Sequence, residues 1–275
     1  MILKFSPYSK FLFYVLLISM ASAAVAFLGV NTQFHLWEFL VDMKILLFLL
    51  LAFLFIRKYS WNFPPDIYGL RRWDARPNIL AFLTPLALIS VTVIAGYLLN
   101  KTTFEGADGF VTLLLATLFD APAAYFFSVA VFLVEELIFR GFIFDIVSRK
   151  NGIFKSTLVT SLIWTVANLD KVVQIRYPSL FVISSELLNV ISTGLACSAI
   201  YCHTRSIWPG YTLRIGLLLF SSAMLTSDIN ETSGAFYTET PALSNSGILL
   251  SFIMLALTTC LFVFSKRTKL PSKIR

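Results

Sequence analysis

Eight apolar segments constrain this chain more than any other feature. They fall at about 11–30, 39–56, 79–99, 121–148, 153–170, 180–202, 208–226 and 247–265. Each comes close to the roughly 20 residues that a helix needs to cross the hydrocarbon core of a bilayer. In lipid a backbone must satisfy its own hydrogen bonds, so helices are the economical solution for such segments. Composition agrees, with 57% hydrophobic residues, 13% charged residues, 27 Phe and a mean hydropathy of +0.80. A soluble domain carries roughly 25% charged residues. The expectation is an all-α, polytopic transmembrane bundle of about eight spans. The apolar but short stretch 109–119 is expected to be interfacial or re-entrant.

Charge placement orients the bundle. With a cytoplasmic N-terminus, the inner segments are 1–10, 57–78, 149–155, 203–207 and 266–275, and they hold 16 of the 22 Lys and Arg residues. The opposite side collects Glu38, Asp42, Glu105, Asp108, Asp170, Asp228, Glu231 and Glu239. This alternation predicts an N-in, C-in topology. The net charge of +7 is then topogenic. A nucleic-acid partner is not expected, because no basic stripe lies outside the short loops. Lys4 and Lys10 before an apolar run, with Ala-Ser-Ala-Ala from Ala21, resemble a signal peptide; the run continues to Val30, which favours a retained helix. The partner implied throughout is membrane lipid, and Trp61 to Trp73, with Arg71 and Arg72, reads as an interfacial stretch.

Local signals punctuate the spans. Asp120-Ala-Pro122 reads as a helix start. Ser192, Gly194, Ala196, Ser198 and Ala199 allow close helix contact, with simple packing the plainer reading. Asn-x-Thr triplets at Asn100 and Asn230 are glycosylation acceptors only in a eukaryotic secretory context. Cys197, Cys202 and Cys260 fit neither a disulfide framework nor a zinc site.

The fourth span breaks its own pattern. It reads Val131-Phe-Leu-Val-Glu135-Glu136-Leu-Ile-Phe-Arg140-Gly141-Phe142. Charges inside a span are costly and rare unless paired or functional. Glu136 and Arg140 share a helix face at i,i+4 and can pair, while Glu135 lies about 100° round the helix. One carboxylate held by Arg140 stays ionised, and the other is poised to take a proton from water. The same residues suit a charge cluster that fixes packing or relays ions, and the two readings stay open at this point. Glu186 in the sixth span is a weaker candidate of the same kind, read chiefly as an outer-interface residue. No metal or other cofactor is expected: there is no His-Glu-x-x-His, and Glu, Asn and Arg make a poor zinc set.

Glu135-Glu136-x-x-x-Arg140-Gly141 resembles the first motif of the CPBP family, which includes type II CAAX prenyl endopeptidases and bacteriocin-immunity (Abi-like) proteins. Ser206-Ile207-Trp208-Pro209, after the small-residue span, resembles the loop of its third region. The resemblance covers roughly residues 120–265. It implies a metal-independent, glutamate-based intramembrane endopeptidase acting near a membrane-embedded C-terminus. Residues 1–110 are then N-terminal helices and an interfacial loop, 111–265 the protease-like core and 266–275 a basic tail, in a bacterial inner membrane.

The chain departs from the family pattern at both histidines. Asn168, in Trp164-Thr-Val-Ala-Asn168, stands where the second motif has histidine, and Arg214 stands at the histidine position of the third. Leu218 replaces an expected asparagine. Only His35 and His203 exist, and neither substitutes for the missing pair. The resemblance implies Glu135 as water-activating base and Glu136 with Arg140 as a positioning pair. Asn168 becomes a water or substrate holder. Arg214 is either an electrostatic stabiliser of an oxyanion or a counter-charge that locks the site shut. Glu135 and Asn168 both lie roughly 20 Å from the cytoplasmic loop at 1.5 Å per residue, so they are expected to meet across neighbouring helices. Against the endopeptidase stands a catalytically inactive relative acting as an immunity factor or scaffold for another membrane protein. Transport through the buried carboxylates is a third reading, without the repeats and broken helices of transporters.

Overall fold

The computed structural model describes residues 7–29, 36–58, 69–70, 73–104, 122–148, 151–173, 180–226, 236–238 and 248–267. Each of the eight expected apolar segments is mainly helical within these limits. Helices α1 (Pro7–Gly29), α2 (Leu36–Lys58) and α3 (Ala75–Leu98) precede a short strand β1 (Thr102–Phe104). The fourth segment is composite: α4 (Pro122–Glu136), a π-helix (Leu137–Ile143) and α5 (Phe144–Ser148). The fifth divides into α6 (Ile153–Ala167) and α7 (Leu169–Val173). There follow α8 (Leu180–Thr204), α9 (Trp208–Met224), strands β2 (Leu225–Thr226) and β3 (Phe236–Thr238), and α10 (Ile248–Arg267).

Among the described residues, three helices are long and apolar enough to cross a membrane by length and composition: Ser9–Gly29, Ala75–Leu98 and Leu180–Thr204. Met43–Phe55, Ile153–Ala167 and Ser251–Cys260 are shorter apolar runs. Large apolar side chains cover the outside, with Leu180 84% and Leu98 75% exposed. Water would penalise such a surface; lipid does not. The interfacial or re-entrant stretch 109–119, Asp120 and Asn230 lie outside the described residues, as do 59–68 and Arg71 and Arg72 of the aromatic-basic loop.

Capping and turn chemistry set the helix ends that matter for the site. Asp74 opens α3, its carboxylate accepting from the Arg76 N–H at 3.1 Å. Ser206 opens α9, its Oγ accepting from the Trp208 N–H at 3.3 Å, and Pro209 sits in the first turn where it loses no helical bond. The two starts are stitched together: Trp208 Nε1 donates to Leu70 O at 2.8 Å and Thr212 Oγ1 to Asn78 O at 3.2 Å. Gly69, at φ +66°, lies against the Arg205–Ile207 backbone, where a Cβ would come within 2.8 Å of Arg205 O. At their other ends α3 and α9 run into one small sheet, ordered β1-β3-β2, with Thr102 opposite Thr238 and Thr226 opposite Tyr237. The helix-only expectation missed this sheet because its strands are two and three residues long. It holds two parallel-running helices at a common end, and α3 packs along α9 for most of its length.

Apolar packing falls into two main clusters. Phe11, Phe48, Phe139, Phe142 and Trp164 lie in the one built from α1, α2, the π-helix and α6. Ala81, Ala196, Cys197, Leu213 and Met254 form the one built from α3, α8, α9 and α10. The intramembrane charges are contributed by α4, the π-helix and α9, so they join helices of both clusters.

Candidate functional site

Glu135 and Glu136 end α4, and Arg140 sits inside the π-helix that follows. In that segment the Phe144 N–H reaches back five residues to Phe139 O, widening the turn around Arg140 and Gly141. Such π-turns are uncommon and concentrate at functional positions. The side chains point inward: Glu135 is 2% exposed, and Glu136 and Arg140 are fully buried. Arg140 Nη1 donates to Glu136 Oε1 at 3.0 Å, the i,i+4 pair expected from the sequence. Its Nη2 donates to Gly194 O of α8 at 3.1 Å.

Arg214 enters from α9. Its Nη2 lies 2.7 Å from Glu135 Oε2 and its Nη1 3.6 Å from Glu136 Oε1, so one guanidinium spans both carboxylates. Trp164 of α6 donates its indole N–H to Glu135 Oε2 at 3.1 Å. The same indole lies beneath both cations, 5.0 Å from Arg140 Cζ and 5.3 Å from Arg214 Cζ. Phe132 lies 4.1 Å from Arg214 Cζ on another side. Guanidinium groups favour such aromatic faces once they are desolvated. Two carboxylates and two guanidiniums leave the cluster formally neutral, which makes its burial tolerable.

Glycine sets the closeness of the walls. A Cβ on Gly210, in the first turn of α9, would lie 2.7 Å from Glu136 Oε2. One on Gly194 would lie 2.9 Å from the Trp164 ring. The small residues of α8 therefore do more than pack. Gly194 admits Trp164 and offers its carbonyl to Arg140, and Ser161 donates to Ser198 at 3.2 Å beside them. A glycine inside a small-residue helix was legible as close contact, but what it contacts was not.

The structure brings Glu135, Glu136, Arg140 and Arg214 together. Asn168 is buried at the end of α6, yet its Nδ2 donates to Trp164 O at 3.0 Å, within its own helix. The expected meeting of Asn168 with Glu135 is made instead by Trp164, one turn earlier, whose longer side chain reaches the carboxylate. Several buried polar atoms here have no hydrogen-bond partner among the described residues: Glu136 Oε2, Arg140 Nε, Arg214 Nη1 and Asn168 Oδ1. Glu186 is half-buried on α8.

A second buried charge pair was not anticipated. Lys44 of α2 donates to both Asp170 oxygens at 2.6 Å and to Ala167 O at 2.9 Å. Asp170 reads in sequence as an outer-face acid, and Lys44 is one cation in an apolar helix. Their 126-residue separation left no pattern to join them.

Residues 117–220 match the family model described as type II CAAX prenyl endopeptidase Rce1-like. The match runs from just before α4 into α9 and includes Glu135, Glu136, Arg140, Asn168 and Arg214. It supports the resemblance to the CPBP/CAAX-protease family, and the apolar helices fit contact with a lipid membrane. No curated protein matches the chain.

Proposed function

We propose that this chain is a metal-independent, glutamate-based intramembrane endopeptidase whose substrate is a membrane-embedded or C-terminal peptide. The observation that carries the reading is the pair of buried carboxylates, side by side where α4, α6, α8 and α9 meet. Glu135 is the proposed base toward water. Glu136 is fixed by Arg140, and Arg140 by Gly194 O, which makes a rigid positioning pair. Arg214 supplies positive charge where an oxyanion would form, a role a buried guanidinium performs without reorganisation. Asn168 cannot accept a proton near neutral pH, but its unpartnered Oδ1 can hold a water or a substrate N–H. Eight spans with both termini inside, in a bacterial inner membrane, complete the proposal.

One observation favours a second reading. Arg214 and Trp164 both engage Glu135 Oε2, so donors already occupy an oxygen that would take a proton from water. In that reading the cluster is a closed lock and the chain a catalytically inactive relative, an immunity factor or scaffold for another membrane protein.

Purified protein offered a panel of membrane-anchored C-terminal peptides separates the two. The endopeptidase reading expects cleavage that falls by about 10²–10⁴-fold in Glu135→Ala. It also expects Asn168→His to raise the rate. Equal cleavage by wild type and Glu135→Ala, or none by either, leaves the inactive reading.

A further inference from the structure

The α1–α2 hairpin carries an open groove of about 680 Å³, lined by Tyr14, Leu51, Leu54, Phe55, Arg57 and Lys58. That volume falls within the roughly 300–1,000 Å³ of small-molecule sites. Phe55, 7% exposed, is its floor, held edge-on by Phe11 at 5.3 Å and by Tyr14 at 6.2 Å between ring centroids. Tyr14 and Leu54 are 44% and 49% exposed, so the groove opens sideways, toward whatever surrounds the helices.

Within α1 and α2 the charged residues at this end are basic. Arg57 and Lys58 are exposed in the last turn of α2. Lys10 is exposed on α1, four residues before Tyr14, and therefore on the same face one turn nearer the helix start. Helix α1 contains no acid, and the nearest acid along α2, Asp42, is roughly 22 Å from Arg57 at 1.5 Å per residue. Apolar walls thus end in a cationic rim.

We propose that this groove binds an anionic phospholipid, its acyl chain along Leu51, Leu54 and Phe55 and its phosphate at Arg57, Lys58 and Lys10. A soluble anion has no use for the walls, and a neutral lipid has none for the rim. Basic residues at a span's end attract anionic headgroups, and the surrounding bilayer supplies the ligand in excess. The site is separate from the carboxylate cluster and does not depend on the endopeptidase reading.

Native mass spectrometry of the full chain in detergent tests it, with phosphatidylglycerol, phosphatidylcholine and inorganic phosphate as probes. Phosphatidylglycerol is expected to bind at least tenfold tighter than phosphatidylcholine. R57Q/K58Q should remove that preference, at about fivefold per cation. Leu54→Trp, at a half-exposed wall position, should weaken both lipids. Equal binding of the two lipids by the wild type overturns the proposal without recourse to any variant. So does displacement of phosphatidylglycerol by phosphate at similar concentration, or an undiminished preference in a folded R57Q/K58Q.

Discussion

Among the described residues charge is buried in two places, and the two are built differently. At Lys44–Asp170 the ammonium meets both carboxylate oxygens and one backbone carbonyl, so its three donors have three acceptors. At the Glu135–Glu136–Arg140–Arg214 cluster the charges balance, but a carboxylate oxygen and two guanidinium nitrogens are left without hydrogen bonds among the described residues. Folding gains nothing from buried polar atoms left unmatched, since each costs about 1–3 kcal/mol. The first arrangement is that of a staple, fixing α2 to the junction of α6 and α7. The second is set in a π-turn beside two space-making glycines, which supports the proposed reading of it as a functional site.

The widest separation between the two is expected from Lys44→Ala. It leaves Asp170 buried without a partner and should cost about 3–5 kcal/mol of stability, read as a lower thermal midpoint in detergent. If Lys44–Asp170 is only a staple, an apolar replacement of both partners, K44M/D170L, should recover most of that loss and keep whatever activity the wild type shows. Failure of the double variant to recover either would move the pair out of the structural class.

Gly210→Ala is the corresponding probe of the cluster. It removes no charge, but its Cβ must displace the Glu136 carboxylate or move α9. A cost of about 1–3 kcal/mol is expected, as for other overpacked sites, together with a disproportionate loss of peptide cleavage. Loss of stability with cleavage unchanged would show that the position of Glu136 is immaterial. The smallest effect belongs to Asn168→Ala. It deletes one bond to Trp164 O, worth about 0.5–1.5 kcal/mol, and a larger effect on cleavage than on stability would tie its unpartnered oxygen to substrate or water.

The legible part of the site was local. Glu136 and Arg140 share a face because of helical spacing, and charges inside an apolar span announce themselves by their cost. Arg214 was reached through the Ser-Ile-Trp-Pro resemblance, with its two roles left open. Trp164 was named only as the start of a motif. Its indole turns out to touch Glu135 and underlie both arginines, which no spacing rule foretells. Lys44 gave no signal, since one lysine in an apolar helix looks like any other until its partner is known.

The sequence by itself determined the solvent, the helices and the presence of an unusual charge group within the fourth segment. Each depends on hydropathy or on neighbours within about one turn, which a linear reading can see. Tertiary structure alone decided that Arg214 and Trp164 answer Glu135, that Lys44 answers Asp170, and that three short strands tie α3 to α9. These are contacts between segments distant in the chain, and their geometry is set by how closely helices approach. Here that approach is governed by glycines 194 and 210, whose missing side chains define the space the charges occupy.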